Sequence, residues 1–366
     1  MLVVGSYATS PNLWALEHPG EVPGYEADRE AAFYAGLAEC ALVDGLEVQV
    51  DGNGKMHGFN EPQFLSEFAN PRFCAVLTCI GGTMGNVGAD PAFGLASTDD
   101  AGRRKALDFA KQALACVSRW NTRSATAGRV LAVEIHSAPN TTKEGAASAS
   151  VEAFVESLVE MLSWDWQGAR LCVEHCDSAA VGTAAGFASS SKGFLTIEDE
   201  LAACALANER TRSGAVGVTI NWARSVLEGR DVGAPNRHIA AARDAGLLCG
   251  VMMSGCTGES KASNAYGCWR DCHMPCATRS AIVEGVITGA LLTPDAVASA
   301  LSEARFASGG LLYSGCKITT LHSGRWVGQS HDDTPMRVAL NCELLELVAA
   351  ARGGASDPST PPAATG

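Results

Sequence analysis

Arg170-Leu171-Cys172-Val173-Glu174-His175-Cys176-Asp177 is the stretch on which the fold turns. An apolar run of strand length ends abruptly in ionisable groups. Consecutive apolar positions suit a strand buried on both faces, as in a parallel sheet. Desolvating a charge is costly unless a site uses it, so carboxylate and imidazole at the C-terminal end of such a strand suit the catalytic face of a (β/α)₈ barrel.

Working outward, short apolar or β-branched runs recur at residues 2–7, 46–50, 73–80, 130–135, 217–221, 247–253 and 311–318, which with 170–174 makes eight. Segments of helical period lie between them: Ala31, Tyr34, Ala38 and Ala41 share a face, as do Leu107, Ala110, Leu114 and Val117, and Val151, Phe154, Val155, Leu158 and Leu162. Helix-start signals agree. Residues 97–100 precede one helix, Thr196 with Asp199 forms a capping pattern, and Thr293-Pro294 and Thr334-Pro335 place proline at a helix start. The alternation predicts an eight-stranded (β/α)₈ TIM barrel over residues 1–350, with 351–366 a disordered tail. A doubly wound open sheet is the alternative, but G-x-G-x-x-G does not follow the first strand, and no nucleotide cofactor is expected. Long loops are expected after strands three, five and seven, at 81–100, 176–195 and 255–276, all on the catalytic face.

Composition narrows the class. The chain has 366 residues, 47% hydrophobic and 18% charged, with mean hydropathy +0.07, as in a globular protein. A net charge of −13 would repel a phosphate backbone, so nucleic acid is not an expected partner. Met1 leads directly into Leu2-Val3-Val4-Gly5-Ser6-Tyr7 without a basic segment, and no apolar run reaches about eighteen residues, so the expectation is a soluble, cytoplasmic protein with no membrane partner. The fourteen cysteines are scattered through apolar elements and are expected to be small core residues. Cys268, Cys272, His273 and Cys276 form one cluster, whose spacing matches no familiar zinc pattern.

Polar groups at strand ends are the candidate chemistry. Strand four ends Val133-Glu134-Ile135-His136, and alternation puts Glu134 and His136 on one side. Strand six ends Asn221-Trp222-Ala223-Arg224, strand seven ends Met253-Ser254 and is followed by Trp269-Arg270-Asp271-Cys272-His273, and strand eight carries Lys317. Glu174 and Glu134 are candidate acid–base groups, with a buried structural ion pair as the alternative for each. Lys317 and Arg224 are candidate cations for a developing oxyanion, and an Arg224–Glu228 pair on one helix face is the alternative for Arg224. His273, oriented by Asp271, is a candidate proton shuttle.

At these strand ends the chain resembles the xylose-isomerase-like TIM barrels, the sugar isomerase and epimerase superfamily, in an uncharacterised bacterial branch. The resemblance rests on Thr83-Met84-Gly85 before Phe93-Gly94-Leu95-Ala96-Ser97, on Val173-Glu174-His175-Cys176-Asp177, and on Ile220-Asn221-Trp222-Ala223-Arg224-Ser225. It implies an enzyme acting on a small sugar, with Glu174 removing a proton next to a carbonyl and His136 or His273 returning one. A related lyase is included. It places Asn221, Arg224, Trp222, Trp269, Asp271, Ser254 and His175 around the substrate, with Trp222, Trp269 and Tyr266 offering faces to a sugar ring. A homodimer is common in such barrels. The superfamily's divalent metal (Mn, Co, Mg or Zn) is held by carboxylate or histidine ligands from strands five to eight. Glu174 matches that pattern, whereas Asn221, Ser254 and the stretch 314–317 stand at the other positions, so a metal-free site in which Lys317 replaces the ion's charge is one physical reading. A glycoside hydrolase using Glu134 and Glu174, and a non-catalytic sugar-binding barrel, are the alternatives.

Overall fold

In the computed structural model, eight parallel strands close into a barrel in sequential order. The structure describes residues 1–8, 25–123, 128–186, 192–260, 266–283, 287, 289–305, 310–320 and 334–353. The strands are β1 (Leu2–Gly5), β2 (Gly45–Gln49), β3 (Cys74–Thr78), β4 (Val130–Ile135), β5 (Arg170–His175), β6 (Val216–Asn221), β7 (Leu248–Met253) and β8 (Tyr313–Cys316). β8 returns to pair with β1, Val4 opposite Cys316, which closes the ring.

The outer helices include α1 (Ala27–Glu39), α2 (Ile80–Ala89), α3 (Asp100–Thr122), α4 (Val151–Leu162), α5 (Ile197–Thr211), α6 (Trp222–Gly229), α7 (Ala234–Asp244), α8 (Pro294–Glu303) and α9 (Thr334–Gly353). Side chains cap orphan N–H groups at their starts. Asp99 accepts from Gly102 at α3, Thr196 from Asp199 at α5 and Thr293 from Ala296 at α8, with Pro294 the first helical residue. In α1 the buried stripe is Glu30, Phe33, Tyr34 and Leu37, one position off the alanine face expected from the sequence, because the aromatic residues take the core side.

The connection after β3 carries α2 across the glycine-rich Ile80-Gly81-Gly82-Thr83-Met84-Gly85. A Cβ at Gly82 would collide with the Phe109 ring, so that glycine serves close packing of α2 on α3 rather than a loop. α9 runs to Gly353, and the rest of the expected tail lies outside the described residues. No described helix is long and apolar enough to cross a membrane. All fourteen cysteines are free thiols.

The period-two alternation of strands sorts the interior into layers. Val3, Val76, Ala132, Cys172, Cys249, Met252 and Tyr313 fill the lower barrel as one buried apolar cluster. The next inward positions toward the C-terminal ends are polar and buried: Glu47, Thr78, Glu134, Glu174, Asn221, Ser254 and Lys317. Apolar packing below and ionisable groups above place the candidate site at the barrel mouth.

Candidate active site

Glu174, near the end of β5, is the hub. Its Oε1 accepts from Lys317 Nζ at 3.0 Å and from Asn221 Nδ2 at 3.1 Å. Its Oε2 meets Arg224 Nη1 at 2.5 Å, His136 Nε2 at 3.0 Å and Thr78 Oγ1 at 3.3 Å. Burial favours the neutral acid, but the Arg224 and Lys317 charges outweigh it and hold this carboxyl well below the usual carboxylate range.

The two cations arrive from different elements. Lys317 lies just past β8 and also donates to Glu47 Oε1 of β2 at 2.6 Å. Burial opposes its charge, yet Glu174 and Glu47 raise its pKa above the ordinary lysine value. Gly5 makes the crossing possible, since a Cβ there would press on Lys317 Cβ and the Tyr7 ring. Arg224 sits in the first turn of α6, which Asn221 caps. Its Nε donates to Asp271 Oδ2 at 3.1 Å and its Nη1 contacts Cys176 Sγ at 3.5 Å. Arg224 therefore turns into the barrel and leaves Glu228, the alternative partner on its own helix. Asp271 also meets Lys192 at 3.3 Å. Although burial raises its pKa, Arg224 and Lys192 hold it below the usual range.

Three cations (Lys317, Arg224, Lys192) thus face three carboxylates (Glu47, Glu174, Asp271), and Glu134 is the surplus acid. Burial first, then Glu174 and Glu47, push its pKa well above the ordinary value. Tyr313 donates to Glu134 Oε1 at 2.7 Å, while Oε2 has no partner among the described residues. Glu134 is thereby held as a neutral acid.

The two histidines at the mouth stay neutral. His136, just past β4, has its pKa lowered by burial to about 4, donates through Nε2 to Glu174, and has no partner on Nδ1 among the described residues. His273 is held between Tyr7 Oη at 2.9 Å on Nε2 and Ser254 Oγ at 2.7 Å on Nδ1, with Asp271 Oδ1 at 3.5 Å. Burial lowers its pKa to about 3.

The structure gathers Glu174, Glu134, His136, His273, Lys317, Asn221, Arg224, Asp271 and Ser254 at the mouth. Four expected contributors stand elsewhere. His175 follows Glu174 and so points to the opposite face of β5, where it pairs with Glu200 at 2.8 Å. Trp222 is buried in the main apolar core. Trp269 is half-buried against the same core, with the Arg230 guanidinium 5.5 Å from its ring centre. Tyr266 is also in that core, its hydroxyl on the Thr319 carbonyl at 3.1 Å. Among the described residues, groupings of three or more possible metal ligands do not include the Cys268, Cys272 and Cys276 cluster. Glu47, Tyr7, Thr78 and Tyr313 join the site without having been singled out. A charged residue inside the apolar run Leu46-Glu47-Val48 was a usable signal for the first.

One oxygen each of Glu47, Glu134 and Glu174 lies within 4.8 Å of the others, close enough to hold a divalent ion by distance alone. The donor set opposes one. Lys317 occupies Glu47 and Glu174, Arg224 occupies the other Glu174 oxygen, and a dication among these oxygens would meet a buried ammonium at contact distance. The positions on β6 and after β7 hold an amide and a hydroxyl, weak ligands for a hard cation. The residues present do not fit a divalent metal at the mouth.

A family model described as a domain of unknown function, DUF4862, matches residues 3–328. The chain belongs to the DUF4862 family. This DUF4862 chain is 30% identical over 275 residues to the uncharacterized protein STM3670 of Salmonella typhimurium, covering 75% of this chain and 78% of that one. Among solved structures, an L-ribulose 3-epimerase superposes with TM-score 0.54 at 12% identity, over 98% of this chain and 99% of that one. A D-allulose 3-epimerase from Methylomonas sp., solved with D-allulose, gives 0.53 at 13% identity, over 94% and 96%. A xylose isomerase-like TIM barrel/4-hydroxyphenylpyruvate dioxygenase fusion protein gives 0.51 at 11% identity, over 92% of this chain and 41% of that protein. At such identities the likeness is one of fold, the closed (β/α)₈ barrel that this chain forms.

Proposed function

We propose that this chain is a sugar isomerase or epimerase, or a related lyase, that moves a proton next to a carbonyl using protein cations in place of a divalent metal. The observation that carries the reading is the Lys317–Glu174–Arg224 cluster at the C-terminal mouth. An enolate formed by proton removal needs a preorganised positive partner, and two buried cations aimed into one site supply it. Lys317 has three N–H donors and uses two on Glu47 and Glu174. Arg224 uses Nε and Nη1 on Asp271, Glu174 and Cys176, which leaves Nη2 for a substrate oxygen.

Glu174, expected from the sequence to be the base, is better suited to anchor the cations, because five donors already fill both of its oxygens. His273 is the neutral base at the mouth. The C–H proton passes to its Nε2, directly or through the Tyr7 hydroxyl, and the bonding pair moves onto the carbonyl oxygen beside the cations. Asp271 supports the imidazolium that forms. Return of the proton to the other face or the neighbouring carbon gives the epimer or isomer. Glu134 is a protonated reserve acid behind the site.

Glycoside hydrolysis would require two carboxyl groups about 5–9.5 Å apart with room between them for a sugar bond and water. Glu134 and Glu174 are both fully buried and share their surroundings with Tyr313, His136 and the cations, which favours proton transfer. The test is hydrogen exchange in D₂O with a panel of pentose and hexose ketoses, followed by proton NMR. Deuterium is expected at the carbon next to the carbonyl, unchanged by added Mn, Co or Mg salts and lost in Lys317→Met. Unchanged exchange in Lys317→Met, or stimulation by one of these salts, overturns the metal-free reading.

A further inference from the structure

Behind the barrel wall lies a second buried polar cluster with no part in that chemistry. His175 ends β5, Glu228 lies near the end of α6 and His238 is on α7, and one ligand atom of each lies within 4.8 Å of the others. His175 and Glu228 are 0% and 3% exposed and His238 is 9% exposed, so the last leaves a route to solvent.

Each imidazole is oriented from behind. His175 Nδ1 is 2.8 Å from Glu200 Oε2, and Glu200 is itself fixed by Ser137 Oγ at 2.6 Å. His238 Nδ1 is 3.0 Å from Ser225 Oγ. Both Nε2 atoms consequently face one carboxylate. His175 Nε2 is 3.7 Å from Glu228 Oε1 and His238 Nε2 is 3.4 Å from Glu228 Oε2, and the Ser178 N–H holds Glu228 Oε1 at 3.1 Å. The rings stand at 87° with centres 4.8 Å apart.

These gaps are too long for good hydrogen bonds, which run about 2.7–3.2 Å. Among the described residues, buried His175 Nε2 has no partner within hydrogen-bond distance, Glu228 Oε1 at 3.7 Å being its nearest ionic neighbour. The same gaps suit an ion. Metal–ligand bonds of about 2.0–2.1 Å at tetrahedral angles separate neighbouring ligand atoms by about 3.3–3.4 Å. A carboxylate or hydroxyl on the far nitrogen of each ligating imidazole is the usual outer-shell arrangement of such sites. Glu200 and Glu228 together also offset the two charges of a divalent ion.

We propose that His175, His238 and Glu228 form a zinc-class metal site outside the barrel, with Glu200 and Ser225 as its outer shell and a fourth position open toward solvent. The ion ties the end of β5 to α6 and α7. It thereby buttresses the wall that positions Glu174 and, through Glu200 and Ser137, the end of β4. The assignment does not rest on the proposed reaction at the mouth.

The experiment is metal analysis of the untagged full-length protein purified without chelator or added metal, with zinc chloride titration of any apo fraction and zinc K-edge absorption spectroscopy. About one equivalent of zinc is expected, with two imidazole nitrogens and carboxylate oxygen in its first shell. His238→Asn and Glu228→Gln should each lower zinc affinity at least about tenfold, whereas Glu134→Gln should retain the ion. Absence of zinc with no uptake on titration overturns the proposal. So does loss of zinc in Glu134→Gln with retention in His238→Asn, which moves the ion to the mouth. Should the variants misfold by circular dichroism, the wild-type spectrum decides, and an all-oxygen shell overturns the assignment.

Discussion

Glu174 and His175 are neighbours on one strand, yet they enter two different buried clusters. On the inner face, Glu174 meets Lys317 and Arg224, cations that cannot leave without stranding it. On the outer face, His175 meets Glu200, Glu228 and His238, a set of two carboxylates and two imidazoles. Both leave buried polar atoms without partners among the described residues, but the first has its charge balanced by the chain's own ammonium and guanidinium, while the second sets its carboxylates against imidazoles and reaches the surface at His238. The difference teaches that burial and acidity do not by themselves identify a metal site. What decides is whether lysine and arginine already balance the carboxylates.

The sharpest way to break this comparison is Lys317→Met. Removing one member of a buried ionic network leaves its partners uncompensated. Glu47 and Glu174 would face each other in the barrel, at a cost of about 3–5 kcal/mol in urea unfolding. A small loss would mean that the mouth tolerates unpaired acid and is not cation-saturated.

Next in size is a pH effect at the mouth. Burial lowers the His136 pKa to about 4, so the unfolded chain takes up a proton near pH 6.5 that the folded chain refuses until pH 4. The stabilising contribution is complete above pH 6.5 and is lost as pH falls toward 4. Across that window the wild type should lose about 3 kcal/mol more than His136→Gln, at 1.36 kcal/mol per pH unit. A gap of opposite sign would make His136 a cation on Glu174.

At the outer cluster, Glu200→Gln keeps the shape but weakens the charge-assisted bond to His175 and the bond from Ser137. The expected loss is about 1–3 kcal/mol by thermal unfolding, smaller than for Lys317→Met. A larger one would invert the ranking of the two clusters. The smallest stability effect belongs to Tyr7→Phe, which removes one hydrogen bond to His273 and should cost about 1 kcal/mol. Its exchange rate in D₂O should fall by far more than that loss suggests, and an unchanged rate would remove Tyr7 and His273 from the proton path.

Much of this was readable along the chain. The eight apolar runs fall on the eight strands to within a few residues, because strand burial leaves its mark at consecutive positions. Asn221, Arg224, Ser254 and Lys317 were visible as polar groups where apolar strands stop. After β3, Gly81, Gly82 and Gly85 suggest a loop, but the structure forms α2 there and uses Gly82 to approach Phe109. His175 directly follows Glu174, and strand alternation sends it to the opposite face, toward Glu200. Glu47 lies inside an apolar run rather than at its end, so its role shows only in its pairing with Lys317.

The sequence by itself determined the barrel, the helix starts and which side of each strand a residue occupies, since these depend on periodicities of a few residues and on local capping. Only the tertiary structure decided partnership. Lys317 and Glu47 are 270 positions apart and meet because β8 closes on β1, beside β2. Arg224 turns from Glu228 on its own helix toward Glu174 and Asp271, because the buried carboxylates offer a stronger field than a neighbour on the helix face. Charge balance in a closed interior is a sum over the whole ring of strands, and no local stretch of sequence contains it.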